Sequence, residues 1–472
     1  MGHVTELLSR DSTRGRLTLT AVTLGSGIAI LDGSVVNVAL RTIGTELDAS
    51  LEQLQWVING YMLALASLVL VGGALGDRFG RRAIYLWGMV WFLVASALCA
   101  VAQTPGQLIA TRVLQGIGAA LLTPGGLAII QSVFRREDRA AAIGTWAGMS
   151  GIAAAIGPFV GGWLVDNGGW RWIFAINVPL CVGVIALTLW ATPETRDTTP
   201  RAEGSGHGFD LLGAGLTVVS LGALTYALTA SATMSQGLLV AVGALAVAAA
   251  VGFVVVETRS RSPLVQLSLF GDRVFSAANA MTFVVYGALG VVFFILVLQL
   301  QVSAGWSALS AGLTGLPATV ALMLLSSRAS QLSARIGPRI PMAVGPLVCA
   351  VGVLLLLPVG RDATWWTVLP GLVIFALGLA LLVSPLTSTV LAAAPDRYAG
   401  VASGVNNAVA RAGSLLAVAA LPALVGLSGD DYQDASAMTS GFRASMVICA
   451  ALLTVGGVVS WFGLAKTTHP RP

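Results

Sequence analysis

One carboxylate stands apart in this chain. Asp32 lies well inside the apolar stretch GSGIAILDGSVVNVAL, whereas the other acidic residues fall in polar loops or at the edges of apolar runs. Two arginines are similarly placed: Arg112 within the fourth apolar run and Arg411 within the thirteenth. An ionisable group at the centre of a membrane span costs at least about 2.5–3.5 kcal/mol on insertion scales, so such residues normally face a cavity and serve a pathway. A carboxyl group there can take up a proton from one side and release it on the other. An arginine can orient that carboxylate or attract an anion. A structural ion pair or a helix-end position is the alternative for Asp32, and a hydrogen-bonding post is the alternative for Arg112. His3, His207 and His469 all lie in loops or tails, which argues against a histidine proton relay.

The elements that must position these groups follow from composition. Of 472 residues, 56% are hydrophobic and only 10% charged, against roughly 25% charged in a soluble domain. A water-soluble enzyme of this size is excluded, and the 56 glycines suit close helix packing in lipid. Apolar runs long enough to span a bilayer fall at about 17–38, 54–75, 83–103, 107–131, 139–165, 171–191, 209–230, 236–256, 274–300, 308–327, 340–359, 365–388, 398–425 and 442–464. The expected fold is therefore all-α and integral to the membrane, with fourteen transmembrane helices. Its expected parts are a six-helix bundle over 1–191, a cytoplasmic linker at 192–208, two inserted helices over 209–256, a second cytoplasmic linker at 257–273 and a six-helix bundle over 274–472.

Basic residues are retained on the cytoplasmic side. They concentrate in alternate loops, which predicts that both termini are cytoplasmic and that the chain lies in the plasma (inner) membrane. The net charge of +5 is spread over short loops and gives no nucleic-acid signal. Cys99, Cys181, Cys349 and Cys449 sit inside apolar runs at no metal-like spacing, so neither a zinc site nor a disulfide framework is expected. The first apolar run lacks a small-residue cleavage site and reads as a retained helix rather than a signal peptide. An internal repeat relates Leu75-Gly-Asp-Arg-Phe-Gly-Arg-Arg82 to Leu332-Ser-Ala-Arg-Ile-Gly-Pro-Arg339 at an offset of 257 residues. Two halves related by an axis along the membrane normal are a transporter architecture, with the substrate site between them near the midplane.

Several motifs carry a resemblance. Gly73-Ala-Leu-Gly-Asp77-Arg78-Phe-Gly80-Arg81-Arg82 resembles the loop between helices 2 and 3 of the major facilitator superfamily. Arg112-Val-Leu-Gln115-Gly116-Ile-Gly118 resembles its helix 4 motif. The stretch from Gly148 to Gly162, ending Gly157-Pro158-Phe-Val-Gly161-Gly162, resembles the helix 5 motif associated with antiporters. Leu31-Asp32-Gly-Ser-Val35-Val36-Asn37 is similar to the first-helix signature of the fourteen-helix drug:proton antiporter family, and Trp170-Arg-Trp-Ile-Phe174 to Asn177-Val-Pro179 is also typical there. The resemblance implies that the Asp77 loop acts as a conformational switch and that the glycine-rich fifth helix favours exchange over leak. In physical terms, Asp77 can cap a helix start or pair with a neighbouring cation. The glycines of the fifth helix form a close packing face, which Pro158 kinks.

Polar and aromatic residues of other runs are candidates for a cavity wall: Gln55, Asn59, Tyr61, Trp146, Tyr286, Phe293, Asn406 and Asn407, together with Arg411. No glycine-rich loop precedes a lysine, so no Walker-type phosphate site is present and the expected energy source is an ion gradient. The expected protein is not an enzyme and needs no cofactor or metal. It is a proton-coupled antiporter, expected to be monomeric, that exports apolar or amphipathic, including cationic, small molecules as multidrug-efflux pumps do, with Asp32 and Arg112 at the coupling site. Two alternatives stay open on the residues alone: an uptake or facilitating transporter for a sugar or organic anion, and a non-transporting membrane sensor.

Overall fold

The computed structural model describes residues 7–195, 210–260, 263–395 and 398–464. The two terminal segments and most of the expected linkers at 192–208 lie outside the described residues, as do 261–262 of the second linker. Among the described residues the chain is helical, the sole strand-like feature being an isolated bridge between Leu8 and Phe134. Lipid offers backbone groups no hydrogen-bonding partner, so apolar runs of this length must close their bonds internally as helices.

The helices are α1 (Thr13–Leu47), α2 (Leu51–Phe79), α3 (Arg81–Ala100), α4 (Pro105–Val133), α5 (Arg136–Gly168), α6 (Trp172–Ala175), α7 (Asn177–Ala191), α8 (Leu211–Thr229), α9 (Gln236–Arg259), α10 (Arg273–Val302), α11 (Ala308–Leu313), α12 (Leu316–Ile336), α13 (Arg339–Leu354), α14 (Trp365–Ala392), α15 (Ala399–Leu424) and α16 (Ala435–Gly463). Thirteen spans among the described residues are long and apolar enough to cross a membrane, counting α6–α7 and α11–α12 as one each, and the shorter apolar helix Arg339–Leu354 makes a fourteenth candidate. Local chemistry sets several starts. Ser12 accepts from the Gly15 N–H, Thr104 from Gln107 with Pro105 in the first turn, and Asp272 from Phe275. Each satisfies an amide that the helix itself leaves open.

Two sequence runs are broken in the structure. The sixth is interrupted at Ile176, which puts Asn177 at the first position of α7, and the tenth is interrupted between Leu313 and Leu316. The repeat motif reappears as backbone geometry: Gly80 (φ +114°) and Gly337 (φ +83°) occupy equivalent places in it and each separates two helices. An L side chain is strained at such angles, which accounts for glycine at both.

The chain divides into two compact units. The first comprises Met1–Ala49, Trp56–Ser220 and Ala249–Leu264; the second comprises Ser50–Gln55, Leu221–Ala248 and Val265–Pro472. Within the first, α1 packs on α5, α7 and α4, and α3 packs on α4 and α7. Its buried core gathers Val22, Tyr85, Met89, Phe92, Ile129 and Phe134. The α3–α4 approach is close because a Cβ on Gly118 would lie 2.7 Å from the Phe92 amide. Within the second unit, α10 packs on α15 and α16, and α13 on α14 and α16. All four cysteines are free and buried. Large apolar side chains such as Trp87, Val94, Trp190, Val240 and Trp366 are exposed, as lipid-facing positions require.

Candidate functional site

Asp32 is fully buried on α1, and Arg112 of α4 is 1% exposed. Arg112 Nη1 donates to Asp32 Oδ2 at 2.6 Å. The other carboxylate oxygen accepts from Gln115 Nε2 at 2.8 Å and from Asn177 Nδ2 at 3.0 Å. The carboxylate therefore takes one charged and two neutral hydrogen bonds, an arrangement suited to its ionised form. Arg112 is fixed in turn. Its Nε donates to the Val57 carbonyl at 3.1 Å, and Nη1 also reaches Gln115 Oε1 at 2.7 Å. The guanidinium lies 4.2 Å from the Tyr61 ring centroid and 5.7 Å from that of Phe174. Burying a charge is tolerable only when it is paired and hydrogen-bonded, as here.

A further ring of contacts orients these groups. The Tyr61 hydroxyl donates to the Ala29 carbonyl at 3.3 Å. Asn177 Nδ2 also donates to Ser96 Oγ at 3.0 Å, and Ser96 Oγ donates to the Phe174 carbonyl at 2.9 Å. Cys99 Sγ lies 3.6 Å from Gln115 Oε1 and 3.3 Å from Thr111 Oγ1. Six helices thus converge on Asp32 and its partners: α1, α2, α3, α4, α6 and α7.

The structure brings together the sequence candidates Asp32, Arg112 and Tyr61. Gln115, Asn177 and Ser96 were not among them. Gln115 sits one turn after Arg112 on the same helix face, a spacing visible in the sequence. Asn177 stood in the Asn177-Val-Pro179 motif without a role assigned to it, and Ser96 carried no signal beyond being polar in an apolar run. Asp32 is also joined in burial by Asp210 (9% exposed) and Glu257 (4%) at helix ends.

The remaining candidates lie elsewhere. Gln55 is buried, with Nε2 donating to the Val418 carbonyl at 2.6 Å. Asn59 is buried, and its amide makes no hydrogen bond among the described residues. Trp146 Nε1 donates to Ser26 Oγ at 2.8 Å, which seats its indole on α1. In the second unit, Tyr286 lies within electrostatic reach of Arg411. Phe293 meets Phe375 edge-on, Asn406 Oδ1 accepts from Thr282, and the exposed Asn407 donates to the Ser403 carbonyl.

At the α2–α3 turn, Asp77 pairs with Arg81 at 2.8 Å, partly in solvent. Capping of α3 falls to another acid, Glu194. Its carboxylate accepts from the Arg82 and Ala83 amides at 3.1 and 3.0 Å, where the helix dipole favours an anion. Gly80 leaves room for it, since a Cβ there would meet Glu194 Oε1 at 2.7 Å. Arg82 Nη2 reaches the Leu189 carbonyl, and Gly73 faces Pro124. Arg78 stands over the Phe79 ring.

The glycines of α5 do not form one packing face. Added Cβ atoms on Gly157 and Gly161 would collide with Ser34 and Val35 of α1, whereas Gly144, Gly148 and Gly151 face open space. Gly162 is buried, and the helix runs through Pro158. At these two glycines α5 comes close to α1 within three residues of Asp32.

Comparison with known proteins agrees with this architecture. The profile of the Major Facilitator Superfamily matches residues 22–418. The chain is 34% identical over 459 residues to the methylenomycin A resistance protein of Bacillus subtilis, covering 96% of this chain and 95% of that one. It is 36% identical over 447 residues to a probable actinorhodin transporter of Streptomyces coelicolor, covering 91% and 76%. It is 35% identical over 414 residues to the multidrug resistance protein Stp of Mycobacterium tuberculosis, covering 86% and 75%. Among solved structures, a D-xylose-proton symporter superposes with a TM-score of 0.67 at 15% identity over 96% of this chain and 98% of its own. A POT family transporter in complex with 5-aminolevulinic acid gives 0.69 at 16% identity over 97% and 99%. At that identity the likeness concerns the fold alone. The chain belongs to the Major Facilitator Superfamily and is an integral, multi-pass membrane protein of its transporter fold.

Proposed function

We propose that this protein is a proton-coupled antiporter of the fourteen-helix drug:proton family, exporting apolar or amphipathic compounds, cationic ones included. The observation that carries the reading is the buried Asp32 carboxylate, paired with Arg112 and held by Gln115 and Asn177. Its relatives include antibiotic resistance, export and multidrug resistance proteins, which supports an export role. The proposed frame is two six-helix halves with α8 and α9 inserted between them, both termini cytoplasmic and the chain in the plasma membrane.

In this reading Asp32 is the proton carrier and Arg112 its fixed counter-charge. Ionised, Asp32 neutralises Arg112 and accepts three hydrogen bonds. Protonated, it gives up one acceptor position and leaves the guanidinium balanced only by the Val57 and Gln115 oxygens and the Tyr61 and Phe174 rings. The two protonation states thus favour different arrangements of the same six helices, and a rocking transporter needs such a two-state element. Substrate entering from the cytoplasm displaces the proton; the outward-facing form takes it up again. The Asp77–Arg81 turn serves as the conformational latch, and α5 seals one side of the cavity.

Everted vesicles carrying the protein should accumulate a lipophilic cation such as ethidium when a proton gradient is imposed, and Asp32→Asn should abolish that accumulation in vesicles matched for the amount of folded protein. A susceptibility panel in a pump-deficient host then identifies substrates. Full proton coupling in Asp32→Asn removes the assignment, and accumulation only in right-side-out vesicles replaces export with uptake.

A further inference from the structure

Asp32 has two amide partners, and they differ in one respect. Gln115 is locked: its Nε2 donates to Asp32 while its Oε1 accepts from Arg112 Nη1 at 2.7 Å and faces Cys99 Sγ. Turning that amide over would break a charge-assisted bond. Asn177 is held at one end only. Its Nδ2 donates to Asp32 Oδ1 and to Ser96 Oγ, but its Oδ1, on a fully buried residue, accepts no hydrogen bond among the described residues. An unsatisfied buried acceptor forfeits the hydrogen bond it would have made in water, and such an atom beside a buried carboxylate calls for an explanation.

We infer that Asn177 is a turning amide that serves Asp32 in both of its protonation states, an inference that rests on the proton-carrier reading above. With Asp32 ionised, the amide must present its nitrogen, because a carbonyl oxygen 3 Å from a carboxylate oxygen is repelled. When hydronium gives a proton to Asp32 Oδ1, its own O–H bond breaks, a neutral water leaves, and the new carboxyl O–H needs an acceptor. Rotation about the Cβ–Cγ bond of Asn177, a soft and roughly two-fold torsion, brings Oδ1 to the place of Nδ2. There it accepts from the Asp32 acid. It can also accept from the Ser96 hydroxyl, which leaves the Phe174 carbonyl to the Ile176 N–H already bonded to it. Loss of the proton reverses the turn. Asn177 is thus a positioning residue for the proton, and its place at the interruption between α6 and α7 lets the turn be felt by the chain break beside it.

The other titratable groups facing Asp32 do not offer this acceptor. Arg112 can only donate. The Tyr61 hydroxyl is directed at the Ala29 carbonyl, and Cys99 is engaged with Thr111 and Gln115. Cys181 of α7 feels the Asp32 charge without a hydrogen bond to it among those observed. The stretch of α5 against α1, Gly151 to Gly162, carries no titratable side chain.

The test is pH-difference infrared spectroscopy on the full chain in proteoliposomes. A carboxyl band that disappears in Asp32→Asn belongs to Asp32. In the parent protein an asparagine amide band, identified by its shift with [13C]asparagine, should change at the same pH midpoint. Asn177→Leu should remove that amide change and move the Asp32 carboxyl band to higher wavenumber, because the acid O–H has lost its acceptor. Asn177→Ser, a smaller change, should give an intermediate position. Ethidium efflux by Asn177→Leu should show a roughly threefold to tenfold lower turnover at unchanged KM, the scale of one neutral hydrogen bond. A carboxyl band at the parental position in the Asn177 variants overturns the turning amide while leaving Asp32 as proton carrier. The absence of any [13C]asparagine-sensitive band in the parent does the same and does not depend on the folding of a variant. If no carboxyl band depends on Asp32, the proton-carrier reading and the turning amide fall together.

Discussion

Removal of either partner of the Asp32–Arg112 pair should destabilise the protein more than removal of both. Asp32→Asn leaves the Arg112 guanidinium, 1% exposed, buried without an anion. It also replaces a three-fold acceptor by a group that must itself donate, so one of the Arg112, Gln115 and Asn177 bonds becomes donor against donor unless an amide turns. Breaking a buried pair from one side costs about 3–5 kcal/mol. Arg112→Leu strands the carboxylate instead, with a cost on the same scale offset by protonation. In Asp32→Asn/Arg112→Leu no buried charge remains, and what is lost is a set of neutral hydrogen bonds at about 1 kcal/mol each. Coupling on the order of 3 kcal/mol follows, well beyond the ~0.5 kcal/mol within which independent sites add. Thermal melting of the four proteins in one detergent should therefore order them parent, double variant, Arg112→Leu, then Asp32→Asn. A double variant that melts below both single variants would refute the coupling and, with it, the account of how Arg112 is held.

Three further outcomes are expected. Gly161→Val should lower the apparent Tm by overpacking against Val35, a cost of about 1–3 kcal/mol, whereas Gly148→Ala should raise it slightly, since its Cβ meets nothing and alanine favours helix by up to about 1 kcal/mol; equal effects in melting assays would deny the division of the α5 glycines. Glu194→Gln should lower the apparent Tm by the equivalent of about 1 kcal/mol through loss of the anion at the α3 start, less so in high salt, and a salt-independent change would point to packing instead. For topology, an impermeant maleimide applied to intact cells should label Ser436→Cys and miss Glu137→Cys, both at exposed positions; the reverse pattern would invert the proposed orientation.

The sequence made Asp32 conspicuous because a charge in an apolar run is conspicuous, and it made the helices legible for the same reason. It did not make the Asp32–Arg112 contact legible, since that pairing joins helices 80 residues apart and no periodicity relates one helix to another. Gln115 was one turn from Arg112 and so within reach of helical reasoning. Asn177 was not, because its position depends on the break at Ile176, which falls inside an unbroken apolar run. The α5 glycines were legible in retrospect: at about 100° per residue, Gly144, Gly148 and Gly151 cluster on one side and Gly157 and Gly161 on another, about 130° round the helix. Glu194 escaped notice because it sits where polarity signals a linker, although its carboxylate belongs to the start of α3.

The burial of all four cysteines gives the protein internal clocks. A thiol sealed in a helix bundle alkylates only as fast as its surroundings admit water and reagent. Cys99, one contact away from Gln115 and thus two from the Asp32 carboxylate, times the hydration of the charged cluster. Cys349 and Cys449 lie in the other compact unit and report on openings within it. Their rates, read side by side under a proton gradient and without one, separate the wetting of the carboxylate from general loosening of the fold, with no residue of the native chain replaced.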